Sequence, residues 1–274
     1  MSEVFAIDVC AYAVMSNHSH LVLHVNKEKA DALSTEDVIQ RWHKLYKGTL
    51  ISQRYLSPDL RKELHETQIK TVELTAEVWR KRLFDISWFM RALNEYIARA
   101  ANKEDDCTGH FWEGRFKSQA LLDESALAAC MAYVDLNPVR AKMAKTPEAS
   151  DHTSIKYRIN AAKLGKTPKR LMPFAGNPRQ EMPHGLPFTL PDYLQLVDIT
   201  SRYIHPNKRG KVQHNLPPIL ERLNIEHEHW ITLTTQFETC FKHAAGKVIH
   251  LEQYAQNQHQ QRVQCRHSAM RLLG

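Results

Sequence analysis

Two apolar runs lie almost end to end near the start of the chain, Phe5 to Met15 and Leu21 to Val25, with Ser16-Asn17-His18-Ser19-His20 between them. Alternating runs of this length predict strands, and so short a connection predicts an antiparallel hairpin over about residues 4–25. Successive side chains on a strand face opposite ways. His18 and His20 are therefore expected on one side, with Cβ atoms roughly 7 Å apart, while Leu21, Leu23 and Val25 face the core. Two imidazoles so placed can close on one divalent ion. The spacing fits equally well two polar residues on the wet face of a half-buried hairpin, and alone it leaves both readings open.

A second His-x-His, His227-Glu228-His229, falls in a stretch that reads as helical, Pro217 to Thr232. On a helix, positions i and i+2 point about 200° apart and do not converge. The first pair is thus the candidate metal site and the second is expected at the surface. Cys107-x-x-His110 and Cys240-x-x-His243 also have ligand-like spacing, but nothing in the sequence brings them together. Five scattered cysteines without a C-x-x-C pair argue against a disulfide framework or a thiolate zinc cage.

Along the rest of the chain the pattern is mainly helical. Ser34-x-x-Asp37 resembles a capping box opening a helix near 35–47. Residues 58–82 are charged and helix-permissive; after an Asp85 cap, Ile86, Phe89, Leu93, Tyr96 and Ile97 form an apolar stripe expected to pack into the core. Phe111 to Ser118 returns to a strand-like alternation, with Trp112 and Phe116 set against Arg115 and Lys117. Asp123 to Ala144 reads as a helix interrupted at Asn137-Pro138, with Leu127, Cys130, Met131 and Val134 inward. Tyr133 and Asn137, four apart, share a face. That pair also has a plain structural reading, a core tyrosine followed by an Asn-Pro helix start. The proline-dotted stretch 168–191 reads as a linker, and Tyr193 to Ile204 and Pro217 to Lys242 as helices.

At 274 residues and 43% apolar content the chain can bury one good core and a second smaller unit. No apolar run is long enough to span a membrane and the N-terminus lacks a secretory pattern, so a cytoplasmic, nucleoid-associated protein is expected. The net charge of +7 favours a polyanionic partner. The excess clusters at Lys156, Arg158, Lys163, Lys166, Lys169 and Arg170, then at Lys208, Arg209 and Lys211.

Three segments appear in one order: Ala11-Tyr12-Ala13-Val14-Met15-Ser16-Asn17-His18-Ser19-His20-Leu21, Gly109-His110-Phe111-Trp112-Glu113-Gly114-Arg115-Phe116-Lys117-Ser118, and Tyr133-Val134-Asp135-Leu136-Asn137-Pro138-Val139-Arg140-Ala141. Together they resemble the single-tyrosine HUH transposases, in particular the REP-associated branch, over about residues 4–145. The resemblance implies an α+β chain in which 1–145 is a ferredoxin-like HUH catalytic domain with a helical insertion at about 48–84. Residues 146–274 would then be a basic, mainly helical accessory region. It implies that His18, His20 and Asn137 bind Mg²⁺ or Mn²⁺, and that Tyr133 attacks single-stranded, hairpin-containing DNA to leave a 5′-phosphotyrosine. Arg115, Lys117 and Trp112 become candidate DNA contacts, the cations for phosphate and the indole for stacking. A homodimer is left open.

Two positions depart from the pattern. Ser19 occupies a place that is usually bulky and apolar. The strand and helix that precede the histidine hairpin in the family have no counterpart before Val4, which predicts an exposed sheet edge. Two rival readings follow: a truncated or domesticated DNA-binding protein without catalysis, and a metal hydrolase using the histidine pair alone.

Overall fold

A computed structural model describes residues 1–176, 184–204 and 218–274. The chain is of the α+β class. It opens with β1 (Ile7–Val14) and β2 (Ser19–Val25), paired as the expected antiparallel hairpin. Six helices follow: α1 (Lys27–Asp31), α2 (Thr35–His43), α3 (Leu50–Leu56), α4 (Pro58–Lys62), α5 (Glu66–Leu83) and α6 (Ile86–Glu104). Next come β3 (Ala120–Leu121), α7 (Glu124–Asp135), α8 (Asn137–Arg140), α9 (Ser154–Lys163), α10 (Leu190–Ile204), α11 (Pro218–Leu223) and α12 (His227–Cys240). The chain closes with β4 (Ala244–Ala245), α13 (Val248–Asn257) and α14 (Arg266–Leu272). Among the described residues no helix is long and apolar enough to cross a membrane.

The chain divides into two compact units, one of Met1–Asp8 with Leu23–Phe116 and one of Val9–Val22 with Lys117–Gly274. This differs from the boundary expected at residue 145. The helix carrying Tyr133 makes its most extensive packing with α12, so residues 117–145 belong with the C-terminal region. The basic excess is confined to the second unit, which has 21 Lys and Arg against 13 Asp and Glu, where the first has 16 against 17.

In the first unit, α2 and α5 pack through Trp42 and Trp79, whose rings stack at 5.5 Å. Ser34 and Asp37 form the predicted capping box at the start of α2. Asp85 caps α6 by accepting from the Ser87 and Trp88 amides, also as predicted. The stripe of α6 is shorter than its spacing suggests. Phe89 is buried against Phe5 at 5.3 Å between ring centres, but Tyr96 is 74% exposed. Residues 111–118 form no strand; the segment is irregular, and pairing begins only at β3. An alternating aromatic pattern makes a strand only where a partner edge is offered, and β3 finds one for two residues, in parallel with β4.

The second unit is built on α7. Its small residues, Ala126, Ala128, Ala129 and Ala132, are fully buried and allow close approach of α12, which turns Trp230, Leu233, Thr234 and Phe237 inward. Of the predicted inward set, Met131 and Val134 are buried, while Leu127 and Cys130, together with Tyr133, are only partly buried against the same core. Asp123 caps α7 by accepting from the Ala126 amide, and its other oxygen accepts from the Lys247 amide and the His250 ring. Gly246 makes this close approach possible, since a Cβ there would lie 2.9 Å from that oxygen.

The open edge of β1 is covered within the unit. The Val14 amide donates to His152 O, the Tyr12 amide to Ser154 Oγ, and Met172 N–H to Val9 O. The exposed edge expected from the sequence is therefore filled along this part by the 152–172 stretch. Residues 168–191 are likewise not a free linker where they are described, since Leu171, Met172, Leu186 and Phe188 are all buried. Arg158, counted from the sequence among the surface cations, is 1% exposed. It donates to the Cys10 and Met172 carbonyls and lies over Phe174. Lys208, Arg209 and Lys211 fall outside the described residues.

Candidate functional site

His18, His20, Tyr133 and Asn137 all belong to the second unit. His18 immediately precedes β2 and His20 lies within it, so strict strand alternation does not govern the pair. Their rings nevertheless meet edge to face, 4.9 Å apart. The burial phase of β2 is opposite to the prediction. Val22, on the parity of His20, is buried, while Val25 is exposed. At Val22 this side of β2 joins the core built around α7, although His18 and His24 on the same parity are exposed. His20 has its side chain 19% exposed, and its ring lies edge to face with Tyr133 at 6.0 Å.

Tyr133 is half-buried. Phe237 of α12 flanks its ring at 6.1 Å, and the Arg140 guanidinium lies over it, 3.7 Å from the ring centre. α7 ends at Leu136, and α8 continues with Pro138 in its first turn. This break carries Arg140 back toward Tyr133. Its guanidinium donates to Tyr133 O at 3.0 Å, to Thr234 O at 3.1 Å and to Asn137 Oδ1 at 2.7 Å. Asn137 is buried, and its Nδ2 is without a partner.

Both histidines have one nitrogen engaged by a neighbouring oxygen. His18 Nδ1 lies 2.6 Å from Asn17 Oδ1, and His20 Nδ1 lies 3.3 Å from Glu238 Oε1. Burial pushes the His20 imidazole below its usual pKa, with Glu238 pulling it partly back, so the neutral form needed for metal ligation is favoured. Burial pushes the Tyr133 phenol up, and the Arg140 charge opposes that rise.

Sequence reasoning missed two members of this cluster. Arg140 stood in the quoted Asn-Pro-Val-Arg motif, but a helix broken at Leu136 gives no reliable phase for a residue seven positions on. Glu238 had no signal beyond its place next to Phe237. Of the candidate DNA contacts, Trp112 donates its indole N–H to Asn94 O at 3.0 Å within the first unit, while Arg115 and Lys117 are exposed. The His227-Glu228-His229 pair begins α12, as its helical reading requires.

Comparison with protein-family models, with curated proteins and with solved structures returned no match for this chain.

Proposed function

We propose that this protein cleaves and rejoins single-stranded DNA through Tyr133, the chemistry of the single-tyrosine HUH transposases that its sequence resembles. The carrying observation is that the rings of His18, His20 and Tyr133 are adjacent, although the tyrosine is more than a hundred residues from the pair. A ferredoxin-like arrangement of the hairpin and its helices is part of this reading.

The donor chemistry of these residues supports a divalent ion. Both imidazoles have Nδ1 beside an oxygen, leaving Nε2 as the ligating nitrogen, a common arrangement around protein-bound metals. Asn137 Oδ1 accepts from Arg140 and retains a second lone pair, so it can serve as the third ligand. Two nitrogens and an amide oxygen suit Mn²⁺ better than Mg²⁺, which prefers oxygen alone. When bound, the ion would neutralise charge at a non-bridging phosphate oxygen.

The chain's own groups supply the rest. The phenol oxygen of Tyr133 loses its proton and attacks phosphorus. A bond forms from that oxygen to phosphorus, the bond to the 3′ oxygen breaks, and the released 3′ end takes up a proton. Attack by the 3′-OH of another end reverses the step and seals the strand without ATP, because the phosphotyrosine conserves the energy of the broken bond. The Arg140 charge favours the phenolate and attracts the phosphate it attacks. Trp112, Arg115 and Lys117 would hold flanking DNA by stacking and charge.

The test compares the parent with Tyr133→Phe on end-labelled hairpin DNA and Mn²⁺. We expect a denaturant-resistant adduct that disappears in the variant and with EDTA. DNA binding without an adduct would identify an inactive DNA-binding protein, and turnover surviving in Tyr133→Phe a metal hydrolase.

A further inference from the structure

An imidazole that binds a metal through one nitrogen must have the other fixed, since the hydrogen bond made by the second nitrogen sets both tautomer and ring orientation. At His18 the fixing oxygen comes from the adjacent residue, Asn17. At His20 the oxygen beside Nδ1, 3.3 Å away, is that of Glu238, more than two hundred residues on and outside the region of resemblance.

The helix that brings Glu238 there is firmly placed. Phe237, next to it, is 1% exposed and packs its ring against Tyr133 and Phe241. One turn earlier Thr234 O accepts from Arg140. α12 is therefore tied to the helix bearing Tyr133 at Thr234 and Phe237, just ahead of the carboxylate. The Glu238 side chain itself is 60% exposed. An exposed carboxylate whose charge reaches His20, Tyr133 and Arg140 is placed to act on the site rather than on packing.

We propose that Glu238 is a positioning residue of this site: its carboxylate holds the Nδ1–H of His20, leaves the Nε2 lone pair free for a divalent ion and keeps the ring beside Tyr133. The role of the ion rests on the function proposed above, whereas the contact between carboxylate and imidazole does not. On this account the C-terminal region completes the active site as well as supporting it.

The test separates the two. Nitrogen-15 NMR of the metal-free protein at pH 8, with His20 assigned by a His20→Asn variant, reports which ring nitrogen carries the proton. Mn²⁺ titration followed by electron paramagnetic resonance reports affinity. We expect the Nδ1–H form in the parent and in Glu238→Gln, whose amide oxygen still accepts. In Glu238→Ala we expect a shift toward Nε2–H and an affinity loss of about 10–100-fold, with Glu238→Gln close to the parent. An unchanged tautomer in Glu238→Ala would overturn the proposal. So would equal loss of Mn²⁺ in both variants, because that marks a direct ligand. A parent that binds no Mn²⁺ while its tautomer still follows Glu238 would refute the metal reading and leave the positioning contact standing.

Discussion

Arg140 shows at the scale of a single residue how the site differs from a list of its ligands. Its guanidinium joins Tyr133, Asn137 and Thr234, and so ties the proposed nucleophile, the proposed third ligand and the packing helix by one side chain. It also sets the chemistry of the phenol. Burial raises the Tyr133 pKa above its usual 10.0 and Arg140 lowers it, with burial prevailing. On the proposed function the phenolate is the attacking form, so adduct formation should climb as pH rises through 8 to 10. Arg140→Ala should move that climb, and the tyrosinate absorbance of Tyr133, to higher pH, read as the ultraviolet difference between each protein and its Tyr133→Phe counterpart. A rise unchanged by the substitution would show that the charge does not act on the phenol. Spacing singled out the histidine pair without deciding its role, and only the resemblance singled out Tyr133; that their rings adjoin is visible in the structure alone. Arg158 was not legible in the sequence. A guanidinium read as surface charge is buried against two carbonyls, and composition cannot distinguish a cation that meets solvent from one that satisfies backbone oxygens.

At the scale of elements, the pairing of α7 with α12 places the tyrosine. Hairpin, capping box and helix starts were readable locally, because Ser34, Asp85 and Asp123 satisfy amides within their own first turns. The burial phase of β2 and the loss of a strand at 111–118 were not readable, since both depend on which element arrives from elsewhere to cover the surface. Phe237 is the simplest probe of the α7–α12 seam. Phe237→Ala should cost about 3–5 kcal/mol of stability, seen as a lowered denaturation midpoint. Adduct yield should fall more than Phe237→Leu causes, because the cavity lies beside Tyr133 and the residue bearing the His20 contact. Equal midpoints for Phe237→Ala and the parent would show that the seam does not hold the unit together.

For the whole molecule, the apparent boundary at residue 145 is the chief difference between sequence and structure. One buried cluster contains Cys10, Ala11 and Val22, the α7 alanines, and Trp230, Phe237 and Leu272. A chain of residues 1–145 would expose the face of α7 that α12 covers. We expect it to lack a cooperative melting transition for its hairpin and tyrosine helix and to form no adduct, by calorimetry and the DNA assay. A cooperative, active 1–145 fragment would restore the boundary at 145. The second unit is assembled from two stretches of sequence, Val9–Val22 and Lys117–Gly274, with about ninety residues of the first unit made between them. Translation delivers these parts in order. At about 5–20 residues per second, a ribosome reaches Glu238 on the order of ten to forty seconds after His20. Through that interval the nascent chain has its histidines, and then its tyrosine, without the helix that brings them to order. Under the function proposed above, the order of synthesis itself would keep incomplete chains from nicking nearby DNA.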